Sequence, residues 1–256
     1  MMTHLQMENI LEAQMSSFLS QDTGLEREAL SHIPIIQSYA TTITGIRRTG
    51  KSTLLLQLLR KKFSHALFLN FEDIRLASFE TDDFILLHSI FEERGSKVIF
   101  LDEIQRIPKW EIFVHQLLRE GYQVFVTGSN ASLLGREMGT SLTGRHLSCE
   151  IFPFSYTEFL QYSGQSKNTD SLQMYMNNGG MPEYVKTGQD IILSALVDDI
   201  LQRDIAVRYG IRDVSSLRQL TLHLFSNIGT RVSASKLGPS FGIKSPTTVL
   251  EYLSYI

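Results

Sequence analysis

The chain has one cysteine, one tryptophan and six prolines in 256 residues. A single thiol excludes an intramolecular disulfide. Cys149 lies in an apolar alternation and reads as an inert buried thiol. No apolar run approaches the roughly 20 residues that span a bilayer. The first residues carry Glu8 and Glu12 and no basic leader before an apolar core, which excludes a secretory signal and makes the cytoplasm the default location. The seven histidines show no paired ligand spacing, so no transition-metal site is assigned. Excess charge is also missing. The net charge is −3, so bulk attraction to polyanions is excluded. Residues 201–256 differ, with seven Lys/Arg against three Asp/Glu. Such a segment permits nucleic-acid contact without establishing it.

What is present is ordinary globular composition, 43% hydrophobic and 20% charged. The length suits one large domain or two small ones. Residues 4–20 carry a helical apolar pattern. Strand and helix patterns then alternate. Strands are expected at 39–44, 66–71, 97–101, 123–127 and 146–152, with helices after Ser52 and over 84–93 and 110–120. That alternation implies βαβ units and a mostly parallel α/β sheet with helices on both faces. From Ser155 the pattern turns helical, over about 155–162, 168–177, 189–208 and 212–226. Ser233 is placed to cap a short helix over 234–237. Ser245 is placed to open a last helix to Ile256, with a turn at Gly242 between them. That last helix ends on an apolar face, which raises the expectation of a truncated chain. The expected divisions are 1–34 (helical segment), 35–153 (sheet core), 154–210 (helical lid) and 211–256 (partial winged-helix region).

The sharpest motif is Gly45-Ile46-Arg47-Arg48-Thr49-Gly50-Lys51-Ser52, the full G-x-x-x-x-G-K-[ST] pattern. The glycines let backbone N–H groups converge on phosphate oxygens. Lys51 reaches the β- and γ-phosphates, and the Ser52 hydroxyl suits Mg²⁺. A β-branched strand precedes the loop and a leucine-faced helix begins in it, which is the context the motif requires. The expected nucleotide contacts are Gly45, Arg48, Thr49, Gly50, Lys51, Ser52 and Thr53. The Arg47 and Arg48 side chains are expected to face solvent or a partner.

Val98–Glu103 is an apolar strand ending in two acids. A parallel strand delivers such acids beside the phosphate loop. Asp102 fits a Walker B role of holding Mg²⁺, through water or Ser52. Glu103 fits a general base for water. The strand over 123–127 ends in Thr127-Gly128-Ser129-Asn130. Asn130 is the first candidate to orient water or sense the γ-phosphate, then Ser129 or Thr127; a helix cap is the competing role. Arg145 is a candidate for transition-state charge, in cis or in trans, with a structural ion pair as its competitor. Asp73 is a candidate for the outer shell of the metal, or simply a turn residue.

Six segments follow one another in order: TGIRRTGKSTLL, FLNFED, VIFLDEIQRIPKWE, VFVTGSNASLL, SLTGRHLSCEIFPFSYTEFL and GGMPEYV. Together they resemble the prokaryotic AAA-like ATPases related to the archaeal-ATPase and STAND groups, over roughly residues 35–256. The resemblance implies a P-loop core, a helical lid and a winged-helix region. It places the strand ending at Thr127 between the P-loop strand and the Asp102 strand, which supports Glu103 as catalytic. It implies that Gly179-Gly180-Met181-Pro182 closes over the base or ribose, adding Met181 and Pro182 to the nucleotide contacts. It implies ATP and Mg²⁺ as ligands; no N-K-x-D segment, the guanine-reading pattern, is present. The expected function is Mg²⁺-dependent ATP hydrolysis coupled through the lid to a protein partner, with homo-oligomers also in view. Alternatives are a non-hydrolysing nucleotide switch and a DNA-binding regulator. The latter is disfavoured because 245–256 contains no Lys or Arg. A small-molecule kinase is a weaker alternative, since no acceptor-site motif is seen.

Overall fold

A computed structural model describes residues 2–128 and 144–256. Helix α1 (His4–Ser20) opens with a capping box in which Thr3 and Gln6 satisfy each other's backbone N–H groups. A 3-10 turn, Glu28–His32, leads to β1 (Ala40–Thr44), whose three threonines and one isoleucine favour extended backbone. Helix α2 (Lys51–Lys62) follows the glycine loop. The chain then runs through β2 (Leu67–Asn70), α3 (Asp83–Arg94), β3 (Val98–Asp102), α4 (Trp110–Arg119), β4 (Gln123–Thr127) and β5 (His146–Glu150). Each strand pairs in parallel, in the order β2-β3-β4-β1-β5. The strand ending at Thr127 therefore does lie between the P-loop strand and the Asp102 strand. All carboxyl ends gather along one edge, and the phosphate loop leaves β1 at that edge.

Both faces of the sheet are covered. On one, Met7 and Leu11 of α1 pack with Leu87 and Phe91 of α3 and Phe113 and Val114 of α4. On the other, Leu54, Leu55 and Leu58 of α2 meet Ile43, Phe100 and Phe125. Each such side chain, fully buried, contributes about 1.5–3 kcal/mol. β2, β3 and β4 carry apolar side chains on both faces, as a two-sided parallel sheet requires.

Three short helices follow: α5 (Tyr156–Ser163), α6 (Thr169–Asn178) and α7 (Pro182–Thr187). They share one compact unit with the sheet, and the chain divides at Thr187/Gly188. The lid division expected at 210 differs from this break, and α1 is part of the first unit's core rather than a separate segment. The second unit, Gly188–Ile256, contains α8 (Asp190–Asp199), which continues through a π-helical stretch, Ile200–Ala206, to Val207–Tyr209. It also holds α9 (Val214–Ser226), α10 (Ala234–Ser240) and α11 (Pro246–Tyr255) around Leu217, Leu220 and Val249. Helix–turn–helix spacing is present, but Ser233 makes no side-chain cap bond. No strand occurs among the described residues of this unit, so a wing is not among them. No helix of the described residues is long and apolar enough to cross a membrane.

Candidate phosphate and metal site

The loop has the backbone its sequence requires. Gly45 has φ 145°, and a Cβ there would sit 2.4 Å from the Ile151 carbonyl oxygen, so only glycine fits. Arg48 and Gly50 are both left-handed, at φ 64° and 94°. Thr49 is fully buried, and its hydroxyl donates to the Ile46 carbonyl at 2.8 Å. The buried Lys51 ammonium donates to the Gly45 and Ile46 carbonyls, at 2.9 and 3.2 Å, and so lies across the mouth of its own loop.

Asp102 is buried where β3 ends. Its Oδ2 accepts from the Ser52 hydroxyl at 2.8 Å and from Asn70 Nδ2 at 3.2 Å, while its Oδ1 accepts from the Thr127 hydroxyl. Burial pushes the Asp102 carboxyl up, against the bonds from Thr127 and Ser52 and the charge of Lys51. Glu103 follows in the left-handed region at φ 55°, a conformation that costs a non-glycine residue about 1–2 kcal/mol. Its N–H donates to the Thr127 hydroxyl at 3.3 Å, and its carboxylate accepts from Gln105. Burial and then the Asp102 charge raise the Glu103 pKa, with Lys51 and Gln105 opposing. A raised pKa makes a carboxylate a stronger base.

The residues present fit Mg²⁺. The donor set around Ser52 and Asp102 is all oxygen, which suits a small hard cation. A cavity of about 430 Å³ borders both residues, on the side of Asn70, Glu72 and Asp73. Asp73, at its rim, caps the next turn and pairs with Arg75. A second cavity, about 310 Å³, lies on the other flank of the loop against Thr49, Gly50 and Thr53. Its far wall includes Phe154, Tyr162 and Pro182. Pro182 is thus brought to the loop. Met181 does not line this cavity, and its carbonyl accepts from Val185 N–H at 2.8 Å to begin α7. The Arg48 guanidinium pairs with Glu183 at 3.0 Å, and both side chains are exposed.

One candidate, Arg145, has its backbone away from the loop. Asn130, with Ser129, lies outside the described residues. Arg145 lies at the opposite edge of the sheet, where its carbonyl accepts from Ala40 N–H at 3.1 Å. The loop begins at Gly45, five residues further along β1, about 16 Å away at the usual rise. The Arg145 backbone is therefore set away from its own chain's phosphate loop. The reason is direction: a residue preceding a parallel strand sits at the amino edge.

Several residues had no functional assignment from sequence. Asn70 reaches Asp102 because the β2–β3 register sets the two side by side. Arg27, buried in the N-terminal segment, donates from Nη1 to the Thr49 carbonyl at 2.6 Å and from Nε to Glu158 at 2.9 Å. Glu158 had a local signal, since Ser155 and Glu158 make a capping box at the start of α5. Arg27 had none. The structure also gathers His4, Glu8 and Glu93, whose ligand atoms lie within 4.8 Å of one another between α1 and α3. Sequence spacing missed this group because Glu93 is on another helix. Surface pairs account for it, His4 with Glu93 at 3.0 Å and Arg94 with Glu8 at 3.2 Å.

Residues 37–160 match the family described as an AAA domain, and residues 169–256 match a domain of unknown function, DUF8612. An uncharacterized protein of Methanocaldococcus jannaschii is 32% identical over 244 residues, covering 87% of this chain and 55% of that protein. An uncharacterized protein of Haemophilus influenzae is 34% identical over 239 residues, covering 85% and 60%. The chain thus spans somewhat over half the length of the curated relatives it matches. Among solved structures, C. elegans PCH-2 is similar with a TM-score of 0.36 and 16% identity, covering 68% of this chain and 48% of that one. Hsp104 with ATPyS and FITC casein gives 0.42 and 17%, covering 66% and 34%. With its parallel 2-3-4-1-5 sheet, glycine loop and paired acids, the core of this chain is an AAA-like P-loop domain.

Proposed function

We propose that this chain is a Mg²⁺-dependent ATPase. One observation carries the proposal. The Ser52 hydroxyl and the Asp102 carboxylate are 2.8 Å apart beneath the phosphate loop, with Glu103 next in the chain. Backbone N–H groups from Gly50 to Thr53 and the Lys51 ammonium would hold the phosphates. Ser52 and Asp102 would hold the metal, which supplies neutralisation of charge on the β- and γ-phosphate oxygens. Glu103 would accept the proton of the attacking water, its basicity strengthened by burial and by Asp102. The cavity between Thr53 and Pro182 is the place for the nucleoside. ATP rather than GTP follows from the family resemblance. Helices α5–α7 would serve as the lid, and nucleotide state would pass to a protein partner or a second copy.

The test is phosphate release from ATP with Mg²⁺. Glu103→Gln is expected to lower the rate about 10²- to 10⁴-fold while ATP affinity is retained. An unchanged rate in Glu103→Gln would remove Glu103 as the base. No release above background from the wild-type protein, with ATP bound, would favour the non-hydrolysing switch.

A further inference from the structure

Arg27 and Glu158 are 131 positions apart in sequence and form an ion pair that is about 95% buried on both sides. Burying two charges is costly unless every hydrogen-bonding position is used. Here nearly all are. Arg27 Nε and Nη2 hold the two Glu158 oxygens at 2.9 and 3.3 Å, Nη2 also donates to the Phe152 carbonyl at 2.7 Å, and Nη1 donates to Thr49. Glu158 further accepts from the Glu28 N–H at 2.8 Å and the Ser155 N–H at 2.9 Å. The guanidinium stacks 5.1 Å from the Phe154 ring centre. The Arg27 backbone is fixed in turn, since its N–H donates to Gln57 of α2 at 3.1 Å.

The Thr49 carbonyl is the informative partner. A peptide unit is planar and trans, so its C=O and the following N–H point in opposite directions. Holding Thr49 C=O toward Arg27 turns the Gly50 N–H away from Arg27. Gly50 is one of the two glycines whose backbone defines the phosphate cradle. Both residues flanking Thr49, Arg48 and Gly50, have left-handed backbones, outside ordinary helix or strand.

We propose that Arg27 and Glu158 are positioning residues for the phosphate site. Arg27 fixes the Thr49–Gly50 peptide so that the Gly50 N–H faces a bound phosphate. Through Glu158 the same contact ties the loop to the first turn of α5 and to the 3-10 turn at Glu28. Phosphate binding then tightens α5, and loosening α5 weakens phosphate binding. This inference rests on the nucleotide-binding role proposed above.

Hydrogen exchange on the full chain, with saturating ATPγS and Mg²⁺, separates the two. Slower exchange is expected both at 45–53 and at 154–158. Slowing at 45–53 alone would overturn the coupling and leave nucleotide binding standing. Slowing at neither would remove both. Arg27→Lys keeps a positive charge but cannot reach Glu158, Phe152 and Thr49 together. It is expected to weaken ATPγS affinity about tenfold, the scale of one hydrogen bond to a charged group, in protein that remains folded. A folded Arg27→Lys protein with wild-type affinity would show a merely structural pair. If that variant does not fold, the exchange pattern of the wild-type protein decides.

Discussion

Two buried carboxylates flank the phosphate loop, and they are held in opposite ways. On one flank, burial raises Asp102, and only hydroxyls, an amide and the distributed charge of Lys51 oppose it. On the other, burial would raise Glu158 too, but the Arg27 guanidinium and two backbone N–H groups outweigh it and lower its pKa. The Glu158 side is self-contained and builds structure. The Asp102 side holds a buried acid of raised pKa beside a cavity, which marks it as a candidate for function. In the proposed site the cavities divide the same way, the metal assigned to the Asp102 flank and the nucleoside to the Arg27 flank.

Substitution should expose this contrast most strongly at Glu158. Glu158→Gln leaves Arg27 buried without its counter-charge and is expected to cost about 3–5 kcal/mol at pH 7, measured by denaturant unfolding. The sign with pH follows from the lowered pKa. Glu158 contributes fully above its ordinary value of 4.5, and the contribution is lost as pH falls through the lower folded value. The gap between wild type and variant should therefore shrink in acid. A constant gap would mean that Glu158 acts through packing alone.

Asp102→Asn should have the opposite sign and a smaller size. The Asp102 carboxyl ionises later in the fold than in the unfolded chain, so wild-type stability falls as pH rises from 3.8 through the raised folded value. Above that interval the asparagine variant is expected to be more stable by roughly 0.5–2 kcal/mol, with Mg²⁺-dependent nucleotide binding weakened. A destabilised variant would mean that the three bonds to Asp102 outweigh its burial.

Legibility in the sequence follows the range of each interaction. The five strands and the helices around them come from local periodicity. The observed strands fall within a residue or two of the expected ones, because β2, β3 and β4 are largely apolar, β1 is β-branched, and turns bound each of them. The loop and the acids at 102–103 are contiguous motifs, so they were readable too. Arg27 was invisible because its partners, Thr49, Phe152 and Glu158, are 22, 125 and 131 residues away. The position of Arg145 is a different case. Its type suggested phosphate chemistry, yet the direction of a parallel strand already puts a preceding residue at the far edge. The π-helical stretch at Ile200–Ala206 left no signal beyond a continuous helix.

The most direct measurement is calorimetric titration of ATPγS with Mg²⁺ into the wild-type chain and into Lys51→Ala. One nucleotide per chain is expected for the wild type. Affinity should fall roughly 10- to 100-fold in the variant, the scale of losing a charge-assisted bond to phosphate. Equal affinity in the two proteins, or none in the wild type, would contradict a nucleotide site at Gly45–Ser52.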